Sequence, residues 1–512
     1  MKSRKGPIVL FIVIVIFALL AYFGKNLWTE KKQTDTSDAQ QITKTLKWAG
    51  DSYLGYAYLQ SVEMKKQLAR KGLSLKFDDD QGNYEDRLKK FSDGTYDFIV
   101  LPINSYLEHG MKHNFPGVIV AAICESKGAD AIVGFPDIFP NNKINDLNNS
   151  DLIIYYTTKS PSSFLLDLTI SDFDLTVLQT DNSWRRELSG SGEVYKKAKE
   201  ATKDRSVGDA FVMWEPDVSK AINKLGMKKL WGSDKFSGYI IDVFVFHRDV
   251  VAKNPDYVLT FLKTYFRVLN YYESRPDEMV EQLSNISKIE KADVSNMVQS
   301  IQWFSLTENC MQLFDIPMAV GMNSKDGIIN AIYSCSDVMH RTKSITDDID
   351  DPFRLINSSF LEELKTTEKS GVASSGTTKV FDALTPEEWS KLPEIGTIRV
   401  EPVTFQSSTS LLDYQGEEIV DKVAMMLLNN YPDYRVAIRG HTGKGDEKAN
   451  LKLSSERANV VRSRLIAVHG VDANRLLANG VGDKQPPTQK TGENIRAFYM
   501  RWARVEFVLL QD

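Results

Sequence analysis

The chain has 512 residues, a formal net charge of −5, 26% charged and 42% hydrophobic residues. A balance this close to neutral offers no basic surface for nucleic acid. Cys124, Cys310 and Cys335 are too few for a disulfide framework. Cys310 and Cys335 are compatible with pairing in an oxidising compartment or with two separate buried thiols. The six histidines show no metal-ligand spacing. Gly-x-Ser-x-Gly, a Walker loop and His-Glu-x-x-His are all missing, so the expectation is no enzyme, no catalytic set, no metal and no cofactor.

Pro7 to Phe23 is an unbroken apolar run, and at 1.5 Å per residue it reaches ~27 Å, enough to span a bilayer core. Lys2, Arg4 and Lys5 precede it, which predicts a cytoplasmic N-terminus and a single pass. A cleaved signal peptide is the rival reading, but its apolar region would be unusually long and no small-x-small site follows Phe17. No cysteine lies near the end of the run, which argues against a lipoprotein. The run holds no Asp, Glu, Lys or His, which disfavours a proton path and a stator-like role.

Residues 33–43 are polar and read as a linker. From Thr45 onward, strand and helix alternate with short turns. Strands are expected at Thr45–Trp48, Leu73–Phe77, Tyr96–Leu101 and Leu152–Tyr156. Helices are expected from Asp51 towards Lys71 and at Tyr84–Phe91. This alternation predicts a parallel α/β sheet. Open α/β sheets bind ligands beyond the carboxyl ends of their strands. That rule selects Asp51, Ser52 and Tyr53, then Asn104 and Ser105, then Lys159, Ser160, Ser162 and Ser163. The Ser-rich turn opens a helix whose free N–H groups suit an anion, although a plain N-cap explains each serine singly.

Asp93-Gly94-Thr95-Tyr96-Asp97, Asp209 to Pro216 with its Trp-Glu-Pro end, Tyr239 to Val243, and Asn254-Pro255-Asp256-Tyr257-Val258 before a long helix together resemble the periplasmic substrate-binding proteins of the nitrate, sulfonate and thiamine-precursor group. The resemblance implies two lobes closing on a small ligand, and adds Trp214, Glu215, Tyr239 and Asp242 to the candidate wall. Trp214 reads equally well as a stacking residue or as core. The mix of Tyr, Trp, Glu and Asp points to a small polar organic ligand rather than a bare oxyanion. A transporter or other membrane partner is compatible with this reading.

Lys365 to Lys379 is a linker by composition, with a short helix expected at Pro386–Leu392. Val436-Ala437-Ile438-Arg439-Gly440-His441-Thr442, then Leu453-Ser454-Ser455-Glu456-Arg457-Ala458, then Arg504 to Phe507 resemble the OmpA-like C-terminal domain, which grips peptidoglycan. An opening strand is expected at Val400–Phe405. The resemblance implies a site for the diaminopimelate stem peptide at Thr442, Asp446, Asn450, Leu453, Arg457 and Arg504. Arginine offers a planar donor fork to a carboxylate. The family's aspartate after Gly-His-Thr is replaced by Gly443, and Asp446 is the nearest substitute. Trp502 and Ala503 replace the family's usual Asn and Arg.

The expected fold class is α/β: an N-terminal transmembrane helix, a two-lobed binding-protein-like domain and a C-terminal α+β OmpA-like domain with a mixed sheet. The boundaries are 1–25 tip and anchor, 26–44 linker, 45–365 binding-protein-like domain, 366–394 linker, and 395–512 OmpA-like domain. The expected role is a solute-binding protein of the bacterial inner membrane, its bulk periplasmic, tethered to the wall. The alternative is an envelope scaffold.

Overall fold

The computed structural model describes residues 41–141, 143–319, 321–367, 379–406, 409–487, 489 and 492–512. The apolar run Pro7–Phe23, the charges before it, and residues 368–378 of the second linker lie outside the described residues. Among the described residues no helix is long and apolar enough to cross a membrane.

Two α/β lobes come first. In lobe 1 the strands are β1 (Lys44–Gly50), β2 (Leu73–Asp79), β3 (Phe98–Pro102), β4 (Gly117–Ser126), β10 (Ile241–His247) and β11 (Ile301–Trp303). Their order is β11-β4-β10-β3-β1-β2. The central strands β3 and β4 are buried along their whole length, which is why they read as continuous apolar runs rather than alternating ones. Lobe 2 carries β5 (Asp130–Gly134), β6 (Ile154–Thr157), β7 (Arg185–Leu188), β8 (Ala210–Trp214) and β9 (Lys228–Gly232), in the order β7-β6-β8-β5-β9.

Both sheets are mixed, where the alternation of elements predicts parallel ones. β1 pairs in parallel with β2 and β3, but β10 runs antiparallel between β3 and β4. The cause is the route of the chain, which leaves lobe 1 after β4, builds lobe 2, and re-enters at β10 from the opposite end. The two crossings are tied to each other. Ser126 and Ser233 share a hydrogen bond of 2.7 Å between hydroxyls, and the Ser233 hydroxyl accepts from Gly128 N at 2.8 Å.

The helix expected from Asp51 towards Lys71 is broken in two. A 3-10 turn spans Leu54–Gln60, and an α-helix runs over Val62–Ala69. Ser61 separates them in an extended conformation, and its hydroxyl accepts from Met64 N at 3.2 Å. That is an N-cap, so a new helix starts there. The long helix Pro255–Glu273 follows β10 and buries Phe261, Tyr265 and Leu269 against lobe 1.

The C-terminal sheet holds β12 (Glu394–Ile398), β13 (Arg435–His441), β14 (Leu476–Gly482) and β15 (Val505–Leu510), in the order β12-β15-β13-β14. β13 and β14 are parallel and the other pairs antiparallel, so the sheet is mixed as expected. Helices Tyr414–Met425 and Glu447–Ala467 bury Ile419, Val423, Ala458, Val461 and Leu465. The opening strand is not at Val400–Phe405. Pro402 has no N–H to give a ladder, and in this stretch only Phe405 forms a bridge, to Leu412. The strand that opens the sheet is β12, a few residues earlier.

Residues 379–393 pack onto this sheet, and the short helix expected at Pro386–Leu392 is found at Pro386–Lys391. Trp389 and Leu392 cover Ala437, Val508 and Leu510. Arg435, almost fully buried, donates to the carbonyls of Asp382 and Asn474 at 2.9 and 2.6 Å and pairs with Asp512 at 2.9 Å. All three cysteines are buried and free, and the Cys335 thiol lies 3.2 Å from the Tyr239 carbonyl.

The C-terminal domain is bonded to the lobes. Tyr431 donates to the Asp172 carboxylate at 2.6 Å, and Arg399 N donates to the Asp172 carbonyl at 2.8 Å. Asn430 brackets Ser237 in the second crossing: its carbonyl accepts from Ser237 N at 2.8 Å and its Nδ2 donates to the Ser237 carbonyl at 3.0 Å. β12 comes so close that a Cβ on Gly396 would lie 2.5 Å from the Phe173 ring.

Candidate functional site

A cavity lies between the lobes where strand ends converge. Lobe 1 contributes Asp51, Tyr53, Tyr56, Tyr84, Pro102, Ile240 and Asp242, and lobe 2 contributes Asp130, Pro161 and Trp214. Its volume is about 20 Å³, room for about one water, so a larger ligand enters only if the lobes part. Between the lobes, Lys159 reaches Glu85 at 3.3 Å, and His109 Nε2 lies 3.4 Å from the Lys159 carbonyl. Burial pulls the His109 imidazole down to about 4, so this contact is made by a neutral ring at neutral pH.

The polar groups of the wall are held from behind. Arg87 is fully buried, pairs with Asp51 at 3.0 Å and Asp80 at 2.5 Å, and donates to the Val100 carbonyl at 2.5 Å. Asp51 also accepts from Tyr53 N at 3.0 Å. Asp242 accepts a short hydrogen bond from Tyr56 Oη, with the Cys124 thiol 3.8 Å away. Burial, aided by the nearby Asp130 and Asp51, pushes the Asp242 carboxyl well above the usual range. Asp130 accepts from Ser126 Oγ at 2.7 Å, and burial raises its carboxyl to about 7. Asp130 and Trp214 are register partners on β5 and β8.

Of the residues selected from sequence, Asp51, Tyr53, Trp214 and Asp242 meet in this wall. The others do not line it. Ser52 is exposed. Asn104 and Ser105 are buried in the first turn of the helix Ile103–Gly110, where Asn104 Oδ1 and Ser105 Oγ have no protein partner. Lys159 is exposed and paired with Glu85. Ser160 and Ser163 form a capping box: Ser160 Oγ accepts from Ser162 N at 3.2 Å, and Ser163 Oγ accepts from Ser160 N at 2.9 Å. The Ser-rich turn is therefore occupied as an N-cap. Glu215 turns to Ser219, accepting from its N at 3.0 Å and its Oγ at 2.6 Å. Tyr239 points to Asp172 at 3.4 Å, at the junction with the C-terminal domain. Tyr56, Tyr84 and Asp130 were not selected. The Tyr53/Tyr56 spacing and the position of Asp130 just after a crossing were the available signals.

The second site lies at the end of β13. Thr442 is buried, its N donates to the Gly482 carbonyl at 2.9 Å, and its Oγ1 has no protein partner. Asp446 caps the helix Glu447–Ala467 by accepting from Ala449 N at 2.8 Å, so part of its carboxylate is committed. Asn450 donates to the Gly443 carbonyl at 3.0 Å, and Leu453 is half-buried on the same helix. Arg457 stands half-buried over the Phe405 ring, 4.7 Å from its centre, and donates to the Thr409 carbonyl at 3.2 Å. This uses one edge of the guanidinium. Arg504 is held by Glu506 at 2.6 Å. Burial works against ionisation of Glu506, but His441 at 3.2 Å and Arg504 outweigh it and hold the carboxyl at about 2. Arg504 is thus spoken for, and Arg457 is the better placed donor.

Residues 404–499 match the OmpA family. Over 97 residues the chain is 34% identical to outer membrane protein A of Klebsiella aerogenes, which covers 19% of this chain and 27% of that protein. Over 85 residues it is 40% identical to the probable lipoprotein YiaD of Escherichia coli K12, covering 16% and 38%. The chain therefore spans well under half the length of these curated relatives. Among solved structures it is similar to the periplasmic aliphatic sulphonate binding protein SsuA of Escherichia coli, with 12% identity, 67% of this chain and 97% of that one covered, and a TM-score of 0.47. It is also similar to the periplasmic nitrate-binding protein NrtA of Synechocystis PCC 6803, with 11% identity, 65% and 90% covered, and a TM-score of 0.48. The chain joins two α/β lobes, each with its own mixed sheet, to a C-terminal domain whose residues 404–499 match the OmpA family.

Proposed function

We propose that the chain binds a small solute between its lobes and holds peptidoglycan through its C-terminal domain, without chemistry of its own. The supporting observation is one arrangement: two α/β lobes crossed twice by the chain, a polar and aromatic cavity at their strand ends, and an OmpA domain bonded to them. In this reading Arg457 takes a stem-peptide carboxylate, and the run Pro7–Phe23 anchors the chain in the inner membrane with its bulk periplasmic. We keep the boundaries proposed from sequence, except that residues 379–393 go with the C-terminal sheet that Trp389 and Leu392 cover.

The test of solute binding is the unfolding midpoint of the intact chain, solubilised in detergent, against a library of small metabolites. A midpoint that no compound moves sinks it. Co-sedimentation of the chain with purified sacculi tests the wall role, and N-terminal sequencing of membrane-extracted protein tests the anchor. A sequence beginning near residue 25 removes the anchor. The scaffold reading is favoured by the small cavity and the contact from Lys159 to Glu85 between the lobes. It predicts wall binding with no ligand-dependent midpoint.

A further inference from the structure

The chemistry of the cavity wall narrows the ligand, on the premise that the lobes do bind a solute. Asp51 and Asp242 from lobe 1 and Asp130 from lobe 2 bring three carboxyl groups to one cavity. Among the described residues no Lys, Arg or His lines it. The cation behind the wall, Arg87, is fully buried and used by Asp51, Asp80 and the Val100 carbonyl. The capping box at Ser160 and Ser163 takes up part of the turn that would otherwise offer N–H groups to an anion.

The rest of the wall is aromatic. Tyr53, Tyr56, Tyr84 and Trp214 line it, with Tyr53 and Tyr56 edge to face at 5.3 Å between ring centres. Ring faces attract cations, most strongly when both are desolvated. An independent sign comes from the Tyr53 hydroxyl. The side chain is nine-tenths buried, and among the described residues its hydroxyl meets the Cys124 thiol, to which it donates. Sulfur is a weak partner, and the Tyr53 oxygen keeps its lone pairs as an acceptor for a ligand N–H.

We infer that the cleft takes an organic ammonium, held by the Asp51, Asp130 and Asp242 carboxylates and enclosed by the Tyr53, Tyr56, Tyr84 and Trp214 rings. Trp214 closes over it from lobe 2 when the lobes meet. The elevated carboxyls of Asp242 and Asp130 agree with this. An incoming cation stabilises their ionised forms and offsets the burial that keeps them protonated. An anion gains no such stabilisation, since the described lining residues include no Lys, Arg or His and Arg87 behind them is already paired.

The test uses the intact chain in detergent with choline, putrescine and tetramethylammonium on one side and nitrate and the sulfonate MOPS on the other. Unfolding midpoints and titration calorimetry are read for wild type, Asp242→Asn, Trp214→Leu and Ser52→Ala. The expected result is binding of at least one ammonium probe and of neither anion. Affinity should fall at least tenfold in Asp242→Asn and Trp214→Leu and stay unchanged in Ser52→Ala, a residue off the wall. Binding of anions alone overturns the ammonium inference and leaves solute binding standing. Ammonium binding undiminished in both wall variants places it elsewhere and also overturns the inference. Binding of no probe overturns it too, and if the metabolite library is equally silent, solute binding fails with it.

Discussion

Tyr431→Phe tests whether the two domains form one unit. Asp172 is fully buried; its Oδ1 accepts from Arg341 at 2.8 Å, and its Oδ2 accepts from Tyr431 at 2.6 Å and Tyr239 at 3.4 Å. The substitution removes one hydroxyl, keeps the ring that packs edge-on to Phe173, and leaves Arg341 in place. A hydrogen bond to a charged group is worth about 1.5–3 kcal/mol. Tyr239 remains as a weak substitute, so about 2 kcal/mol is expected. Asp172→Asn removes the charge facing Arg341 and should cost more, about 3–5 kcal/mol for breaking a buried pair. Because the two residues touch, the double variant should fall short of the sum by about 1–2 kcal/mol. Urea unfolding of the intact chain, followed by tryptophan fluorescence, reads all three; more than one transition is expected, and the one carrying the C-terminal domain should move. A Tyr431→Phe change below about 0.5 kcal/mol, the scale of an ordinary surface substitution, would refute the claim that this contact holds the domains together.

Arg457→Ala should lower sacculus binding at least about tenfold, since a charge-assisted contact to a carboxylate is lost; equal co-sedimentation of variant and wild type would show that the wall site lies elsewhere. Gly443→Asp should strengthen the same binding, because Gly443 has no positive φ and a Cβ there meets nothing within 4 Å; unchanged retention would mean the acid is not what limits the grip. Asp130, raised by burial to about 7, binds its proton more tightly folded than unfolded. Its protonation therefore favours the fold below about 7, and its contribution declines as pH rises from about 4 to about 7. Asp130→Asn should flatten that part of the stability profile, by a few kcal/mol at most, and an unchanged slope would count against it.

What was legible in the sequence was what local pattern encodes. The alternation of Val436 and Ile438, followed by Gly440-His441-Thr442, marks β13, and its pairing with β14 and β15 follows. Asp51 and Tyr53 were found because they stand at a strand end, where α/β clefts form. Trp214, Glu215, Tyr239 and Asp242 came with the resemblance, which does not separate neighbours: Glu215 is one residue past Trp214, yet turns back onto Ser219. Asp130 was missed because it meets the lobe 1 residues only once two lobes close, and Tyr84 because it reaches Asp51 from the start of a helix 33 residues further on; neither relation has a period in the sequence. The contact of Asp172 with Tyr431 spans 259 residues and leaves no local trace. Phe381, Trp389 and Leu392 are sparse among polar neighbours, so composition gives no sign that Trp389 and Leu392 cover one face of the C-terminal sheet.

The position of the junction bears on how the lobes can move. The C-terminal domain holds lobe 2 through Asp172, and through Asn430 it holds Ser237, which lies in the crossing that carries the chain back to lobe 1. Ser237 is in turn bonded to Lys127 of the first crossing at 2.6 Å, and Gly238 N donates to Glu125 of β4 at 2.6 Å. Ser334, on the helix Gly327–Thr342, also reaches Asn430, at 3.3 Å. One short segment, Asn430–Tyr431, therefore touches lobe 2, a crossing, and a helix that packs against elements of both lobes. A hinge motion that displaces Ser237 relative to Asp172 has to break at least one of these bonds or carry the C-terminal domain with it. Cleft opening and the seating of the C-terminal domain are thus linked through the same atoms. By reciprocity, a force that holds that domain in one orientation shifts the opening equilibrium by as much as opening shifts the domain.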